Sequence, residues 1–300
     1  MRTVYLGTSD FAVSVLERLA AGDHRPTLVV TRPDRPRGRG RRLAPPPVAD
    51  AARELGIEVI QPDSVNSEEA RERIARADAE AVCVCAFGAL IREPLLSDHQ
   101  MLNVHPSLLP RWRGAAPIER AIEAGDPETG VSIMRLTAGL DEGPVFLQRS
   151  EPIGPEDDYG SLARRLAAMS GQMLAEVLDT VPEPWPQPSD GVTYADKVER
   201  EERRLDPGQP AEVLARRVRA LNPHIGTFVE LEGEERLGVR RARPQSGADG
   251  GPPGRIESVG ENVVLFTGEG VLVLLEVQPA GGRAMEAAAW LRGRRDRAHG

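Results

Sequence analysis

Met101-Leu-Asn-Val-His-Pro-Ser-Leu-Leu-Pro-Arg-Trp-Arg-Gly-Ala-Ala-Pro117 begins as a buried strand and ends as a stiff polar loop. Met101, Leu102 and Val104 are apolar. Asn103 and His105 stand two apart, so an extended backbone turns both polar side chains to one face. Pro106 and Pro110 stop the strand, and Gly114 frees a turn before the helix-like run that starts at Pro117. An amide beside an imidazole at the carboxyl end of a strand suits acyl transfer. Asn can donate to a developing oxyanion, and His can donate to it or move a proton. Taken alone, the pair reads more simply as a satisfied Asn and His in a structural loop.

Outward from this run, short apolar stretches at 3–6, 27–31, 57–60 and 81–86 read as strands. Segments with helical spacing lie between them, including 11–20, with Ser9 or Asp10 as N-cap, and 48–55, ended by Gly56. The alternation predicts an α/β domain: βαβ units forming a mainly parallel, Rossmann-like sheet with helices on both faces. Ligands in such folds bind at the carboxyl ends of strands, where Asn103 and His105 fall. Gly7-Thr8-Ser9 is no Gly-x-Gly-x-x-Gly fingerprint and gives no support to a dinucleotide site. Two further strands, 131–136 and 145–150, are joined by a turn at 139–144, and 159–178 reads as one long amphipathic helix.

Residues 181–190 carry four prolines and read as a linker or a stiff surface crossing. A charged stretch follows, then a helix at Ala211–Leu221 and strand-like runs at 226–231, 237–241, 255–259, 263–267 and 271–277. Short strands broken by Gly and Pro predict a small closed β-barrel. The expected organisation is a first domain over 1–181, a linker over 182–203 and a barrel domain over 204–300. Arg292, Arg294, Arg295 and Arg297 cluster at the end, as a solvated tail or a binding surface.

At 40% hydrophobic and 28% charged residues, the composition is that of an ordinary soluble protein. No apolar run approaches the roughly 20 residues that span a bilayer. Met1-Arg-Thr-Val leads directly into a strand rather than a signal peptide, so a cytoplasmic location is expected. Cys83 and Cys85 are poorly spaced for a disulfide and suit core packing, and no metal site is expected from scattered histidines. A net charge of −8 argues against a generic nucleic-acid binder. It is unevenly spread: residues 204–300 sum to +1 and 1–203 to −9. Arg32, Arg35, Arg37, Arg39, Arg41 and Arg42 crowd one short stretch with Asp34 the only acid among them. A local positive patch on an acidic protein points to a particular anionic partner.

Asn103-Val-His105, Ser107-Leu-Leu-Pro110, Trp112-Arg-Gly114 and Gly139-Leu-Asp-Glu-Gly-Pro144 together resemble the folate-dependent formyltransferase family. The likeness runs from Gly7-Thr-Ser-Asp-Phe11 to Gln278-Pro-Ala-Gly281 and so covers nearly the whole chain. It implies transfer of a formyl group from 10-formyltetrahydrofolate to an amine, without a metal, in a bacterial, monomeric enzyme. Asn103, His105 and Asp141 are the implied catalytic residues, Asp141 orienting His105 or a bridging water. Phe87, Gly88, Ala89 and Leu90 resemble the folate-pocket segment, and Ser107, Leu108, Leu109 and Pro110 shape the same pocket. The loop carrying Arg35, Arg37, Arg39, Arg41 and Arg42 resembles the one that holds the acceptor arm in family members acting on methionyl initiator tRNA. With Pro and Gly alternating with Arg, it is expected to order only on phosphates. The C-terminal domain resembles an oligonucleotide/oligosaccharide-binding-like barrel that touches the tRNA. Arg204, Arg216, Arg217, Arg219, Arg240 and Arg241 are its candidate phosphate contacts. An amino sugar-nucleotide is the alternative acceptor, disfavoured by the Arg-rich loop and by the barrel.

Overall fold

The structure, a computed structural model, describes residues 1–37, 42–231, 235–247 and 251–299. The chain forms two compact units: Met1–Pro117 with Glu128–Pro152 and Ala163–Ala195, and Ile118–Pro127 with Ile153–Leu162 and Asp196–Gly300.

The strands of the first unit are β1 (Thr3–Gly7), β2 (Pro26–Val30), β3 (Arg35–Arg37), β4 (Arg42–Ala44), β5 (Glu58–Ile60), β6 (Ala81–Cys85), β7 (Met101–His105), β8 (Arg113–Gly114), β9 (Glu128–Arg135), β10 (Val145–Pro152) and β11 (Tyr194–Ala195). Seven of them make one sheet in the order β10-β9-β7-β6-β1-β2-β5. The ladders are parallel from β5 through β7 and antiparallel at β9 and β10, as a mainly parallel α/β sheet requires. Every residue of β1 and β6 is buried, so both faces are covered. Val4, Leu6, Leu28, Val30, Val82 and Val84 pack on one face with Ile74 and Leu95, each from a covering helix. On the other face Tyr5 donates its phenol to the Ala12 carbonyl at 2.6 Å. The helices of this part are α1 (Asp10–Ala20), α2 (Pro47–Glu54), α3 (Glu68–Arg76) and α4 (Leu95–Asp98). Ser9 caps α1, its side chain accepting from the Ala12 N–H, and Ser67 caps α3 in the same way. The sequence reading passed over α3 and α4. In α3 only Ala70 and Ile74 are buried, too few apolar positions for periodicity to register.

Three features of the structure bear on function. The Arg-rich loop is not wholly irregular: β3 and β4 form an antiparallel ribbon pairing Arg35 with Ala44 and Arg37 with Arg42. Cross-strand pairing supplies what Pro and Gly deny to a helix. Arg39 and Arg41 lie outside the described residues. The proline-rich stretch is a surface crossing rather than a free tether, because Trp185 exchanges backbone hydrogen bonds with Val145 at 2.8 and 2.9 Å. Arg292, Arg294, Arg295 and Arg297 lie on a helix whose Trp290 and Leu291 are buried.

The second unit holds α5 (Pro117–Ala124) but for its first residue, the first turn of α6 (Tyr159–Thr180), α7 (Ala211–Leu221) and α8 (Ala287–His299). Its strands are β12 (Thr227–Glu230), β13 (Arg236–Gln245), β14 (Ile256–Val259), β15 (Asn262–Phe266), β16 (Val271–Pro279) and β17 (Met285–Glu286). They form an antiparallel sheet in the order β12-β13-β16-β15-β14, with β17 also on β16. The chain thus carries an antiparallel β domain after its parallel sheet, as the short strands of its C-terminal third predict. Leu214, Val218, Val239, Leu272, Val277 and Trp290 make its core.

Candidate active site

β7 ends beside β6 on one side and β9 on the other, and it delivers Asn103 and His105 to the carboxyl edge of the sheet. Asp141 comes from the turn between β9 and β10. The structure brings the three together. The Asn103 Nδ2 donates to Asp141 Oδ1 at 3.4 Å, and His105 Nδ1 stands 3.6 Å from Asp141 Oδ2. The second separation is longer than a direct hydrogen bond. His105 is buried, with Asn103 and Asp141 half-buried beside it.

The other imidazole nitrogen decides the tautomer. His105 Nε2 is 2.8 Å from the Trp112 carbonyl oxygen. A carbonyl only accepts, so Nε2 carries a proton and any proton that moves does so through Nδ1, on the Asp141 side. Trp112 can aim its carbonyl there because it adopts φ +63°, a left-handed conformation rare for a bulky residue. Its N–H is held by Thr193 Oγ1 at 2.9 Å, and the Arg111 guanidinium covers its ring at 4.3 Å. Asp141 is also left-handed, at φ +48°, which costs roughly 1 kcal/mol for a residue other than glycine. The Gly114 N–H donates to Asp141 Oδ2 at 2.9 Å. Gly114 itself has φ +121°, and a Cβ there would lie 2.8 Å from the Ala195 carbonyl oxygen, so only glycine fits.

The loop after His105 is supported from below. Ser132 Oγ donates to the Ser107 carbonyl at 2.7 Å and accepts from the Leu109 N–H and from Gln148 Nε2. Ser107 is fully buried, with its hydroxyl given to the Arg111 carbonyl at 2.6 Å, and Leu109 packs on Met134 and Val145. These two side chains face the interior, while Leu108 and Pro110 are half-buried.

The segment after β6 lies at the same edge. Phe87 is buried and its carbonyl accepts from Thr8 Oγ1 at 2.8 Å. Gly88 and Ala89 are exposed, Leu90 is 63% exposed, and Gly88 adopts φ +71°. The Gly88 carbonyl takes a hydrogen bond from the Arg32 guanidinium. Arg35 and Arg42 are exposed on the ribbon, on one face by strand alternation. Of the arginines considered in the second unit, Arg204 pairs with Glu230 and Arg217 with Glu123. Arg219 donates to the Asp157 carbonyl and Arg240 to Gln278. Burial lowers the Arg219 pKa. Arg216 is half-buried, and Arg241 is exposed.

Residues 1–178 match a family described as "Formyl transferase", and residues 197–295 match "Formyl transferase, C-terminal domain". The chain belongs to the formyltransferase family. A methionyl-tRNA formyltransferase of Halorhodospira halophila is 46% identical over 301 residues, covering 98% of this chain and 96% of that protein. One from Thermus thermophilus is 46% identical over 297 residues, with the same coverage of each. Among solved structures, HypX from Aquifex aeolicus in complex with tetrahydrofolic acid superposes with a TM-score of 0.64 at 18% identity. That match covers 97% of this chain and 47% of the other, so the chain spans about half of that larger protein.

Two polar residues escaped the sequence reading. Gln187 donates through Nε2 to the Asp141 and Gly143 carbonyls, both at 2.8 Å, and Thr193 holds Trp112. Both lie in or just after a proline-rich run whose composition reads only as spacer. A polar side chain between two prolines was the one signal available.

Proposed function

We propose that this protein transfers a formyl group from 10-formyltetrahydrofolate to the α-amino group of methionyl initiator tRNA. The observation that carries the reading is near-complete coverage of methionyl-tRNA formyltransferases at 46% identity. The meeting of Asn103, His105 and Asp141 at the carboxyl edge of the sheet supplies chemistry to match. An α-amino group titrates near ~7.7–8.0, so a neutral fraction is available without a strong base. Asn103 Nδ2, the side-chain donor on this edge, serves the oxyanion that forms at the formyl oxygen, where one preorganised donor is worth on the order of 3 kcal/mol. The attacking amine must shed a proton and the departing folate nitrogen must gain one. His105 Nδ1 and Asp141, 3.6 Å apart, form the relay, their contact tightening once substrates are in place.

Phe87 through Leu90, with Leu108 and Pro110, suit the donor. Among the described residues, chain neighbours aside, the Arg32 guanidinium alone comes within 4 Å of where a Cβ on Gly88 would stand, so the backbone is open to a flat ring. Arg35, Arg37, Arg39, Arg41 and Arg42 would meet acceptor-stem phosphates. The test is formyl transfer to methionyl initiator tRNA beside methionyl elongator tRNA. Rapid transfer to the initiator alone is expected. Absent transfer to both, with transfer to an amino sugar-nucleotide, would overturn the acceptor.

A further inference from the structure

We propose that Gln187 is a positioning residue for this reaction, holding the Asp141 turn so that its carboxylate faces Asn103 and His105. The proposal rests on the role given to Asp141 above. The Asp141 turn has little packing of its own, since Leu140 and Glu142 on either side are exposed. Its left-handed backbone at Asp141 must therefore be held by polar contacts. Gln187 supplies them with its whole amide. Both Nε2 hydrogens go to turn carbonyls, of Asp141 and of Gly143, at 2.8 Å each. Oε1 accepts from Arg113 Nε at 3.1 Å and from Nη2 at 2.7 Å, a two-pronged grip that sets which way round the amide lies.

The clamp is itself rigid. Pro186 and Pro188 flank Gln187, and a following proline confines it to extended backbone. The Trp185–Val145 backbone pair anchors one end of the segment, and the pairing of β11 with β8 anchors the other. Arg113 lies between Trp112, whose carbonyl holds His105 Nε2, and Gly114, whose N–H holds Asp141 Oδ2. Gln187 thus joins the histidine side of the site to the carboxylate side. It lies outside both family-matched spans, 1–178 and 197–295.

The test uses the full-length enzyme with Gln187→Met, a neutral isostere that lacks both functions, and Gln187→Glu. The Glu variant keeps the acceptor for Arg113 but sets carboxylate oxygens against two carbonyls. Steady-state formyl transfer to methionyl initiator tRNA is measured, alone and in an Asp141→Asn background. Expected is a kcat about 10- to 100-fold lower in both variants, with KM for donor and tRNA within about twofold. In the Asp141→Asn background Gln187→Met should cost less than about twofold more, because the two residues act as one unit. A kcat within about twofold of the parent in either folded variant would overturn the proposal. So would a change confined to KM, or a loss that multiplies fully in the Asp141→Asn background. Circular dichroism and melting curves identify folded variants. Parental turnover in Asp141→Asn alone would strike the role of Asp141 and the clamp with it, whereas a parent inactive on methionyl-tRNA strikes the proposed acceptor.

Discussion

His105 has one nitrogen committed to the Trp112 carbonyl and one facing Asp141, so its replacement removes the proposed relay without opening the sheet. His105→Ala is expected to lower kcat about 100-fold, the scale of general acid–base contributions, and to leave tRNA affinity unchanged. Filter binding beside single-turnover kinetics separates the two. Near-normal turnover would remove His105 from the mechanism. Ser9 offers a contrasting single-residue test, since its side chain accepts from the Ala12 N–H at the head of α1. Ser9→Ala should cost about 1 kcal/mol of stability, read from urea unfolding, with catalytic constants untouched. Asn103 and His105 were legible from their spacing because a strand has period two. The tautomer of His105 was not, because a backbone carbonyl holds it and backbone geometry leaves no mark in residue identity.

At the scale of the element, β6 is buried throughout, and burial pushes the Cys83 and Cys85 thiols up to about 12. Neither should react with a thiol reagent in the folded protein near pH 8, and both should react in denaturant. Rapid labelling of the native protein would show that the strand is not shut. Elements in both units could be read from apolar period: Met101–His105, which carries the site, and Ala211–Leu221 of the second unit fall on their observed bounds. The ribbon of β3 and β4 could not. Pro36 within a run of arginines argues against a strand, and only cross-strand pairing in three dimensions makes one. Alternation on that ribbon places Arg35 and Arg42 together. Replacing each by Ala is expected to weaken tRNA binding and to reduce the slope of log K against log salt by about 1 per residue. An unchanged slope would remove the ribbon from the tRNA contact.

For the whole molecule, charge is managed by pairing rather than by sparing it. In the second unit Arg120 donates to Glu202 at 2.6 and 3.0 Å and to Glu123 at 2.8 Å. The Arg120 hydrogen bonds hold the Glu202 carboxyl below its ordinary 4.5. A lowered folded-state value means the unfolded chain binds the proton first, so stability rises with pH through that window. The Glu202 contribution is thus whole above 4.5 and is lost as pH falls through the lowered value. As pH falls below 4.5, denaturation midpoints should fall more steeply for the parent than for Glu202→Gln. Parallel curves would show that the pairing adds nothing to stability. The same pairing explains why most candidate arginines of the second unit could not be ranked from sequence. Charge counts cannot tell an arginine turned to solvent from one spent on Glu123, Glu230 or a carbonyl.

The crossing segment also bears on how this fold can be divided. A hybrid joined at residue 178, where the first family match ends, would inherit every strand of the parallel sheet and all three polar side chains of the site. It would leave behind Gln187, Thr193 and the Ala195 carbonyl that receives the Ala115 N–H. Anyone transplanting this first half onto another C-terminal domain should cut after residue 195, and treat the prolines as cargo rather than as seam.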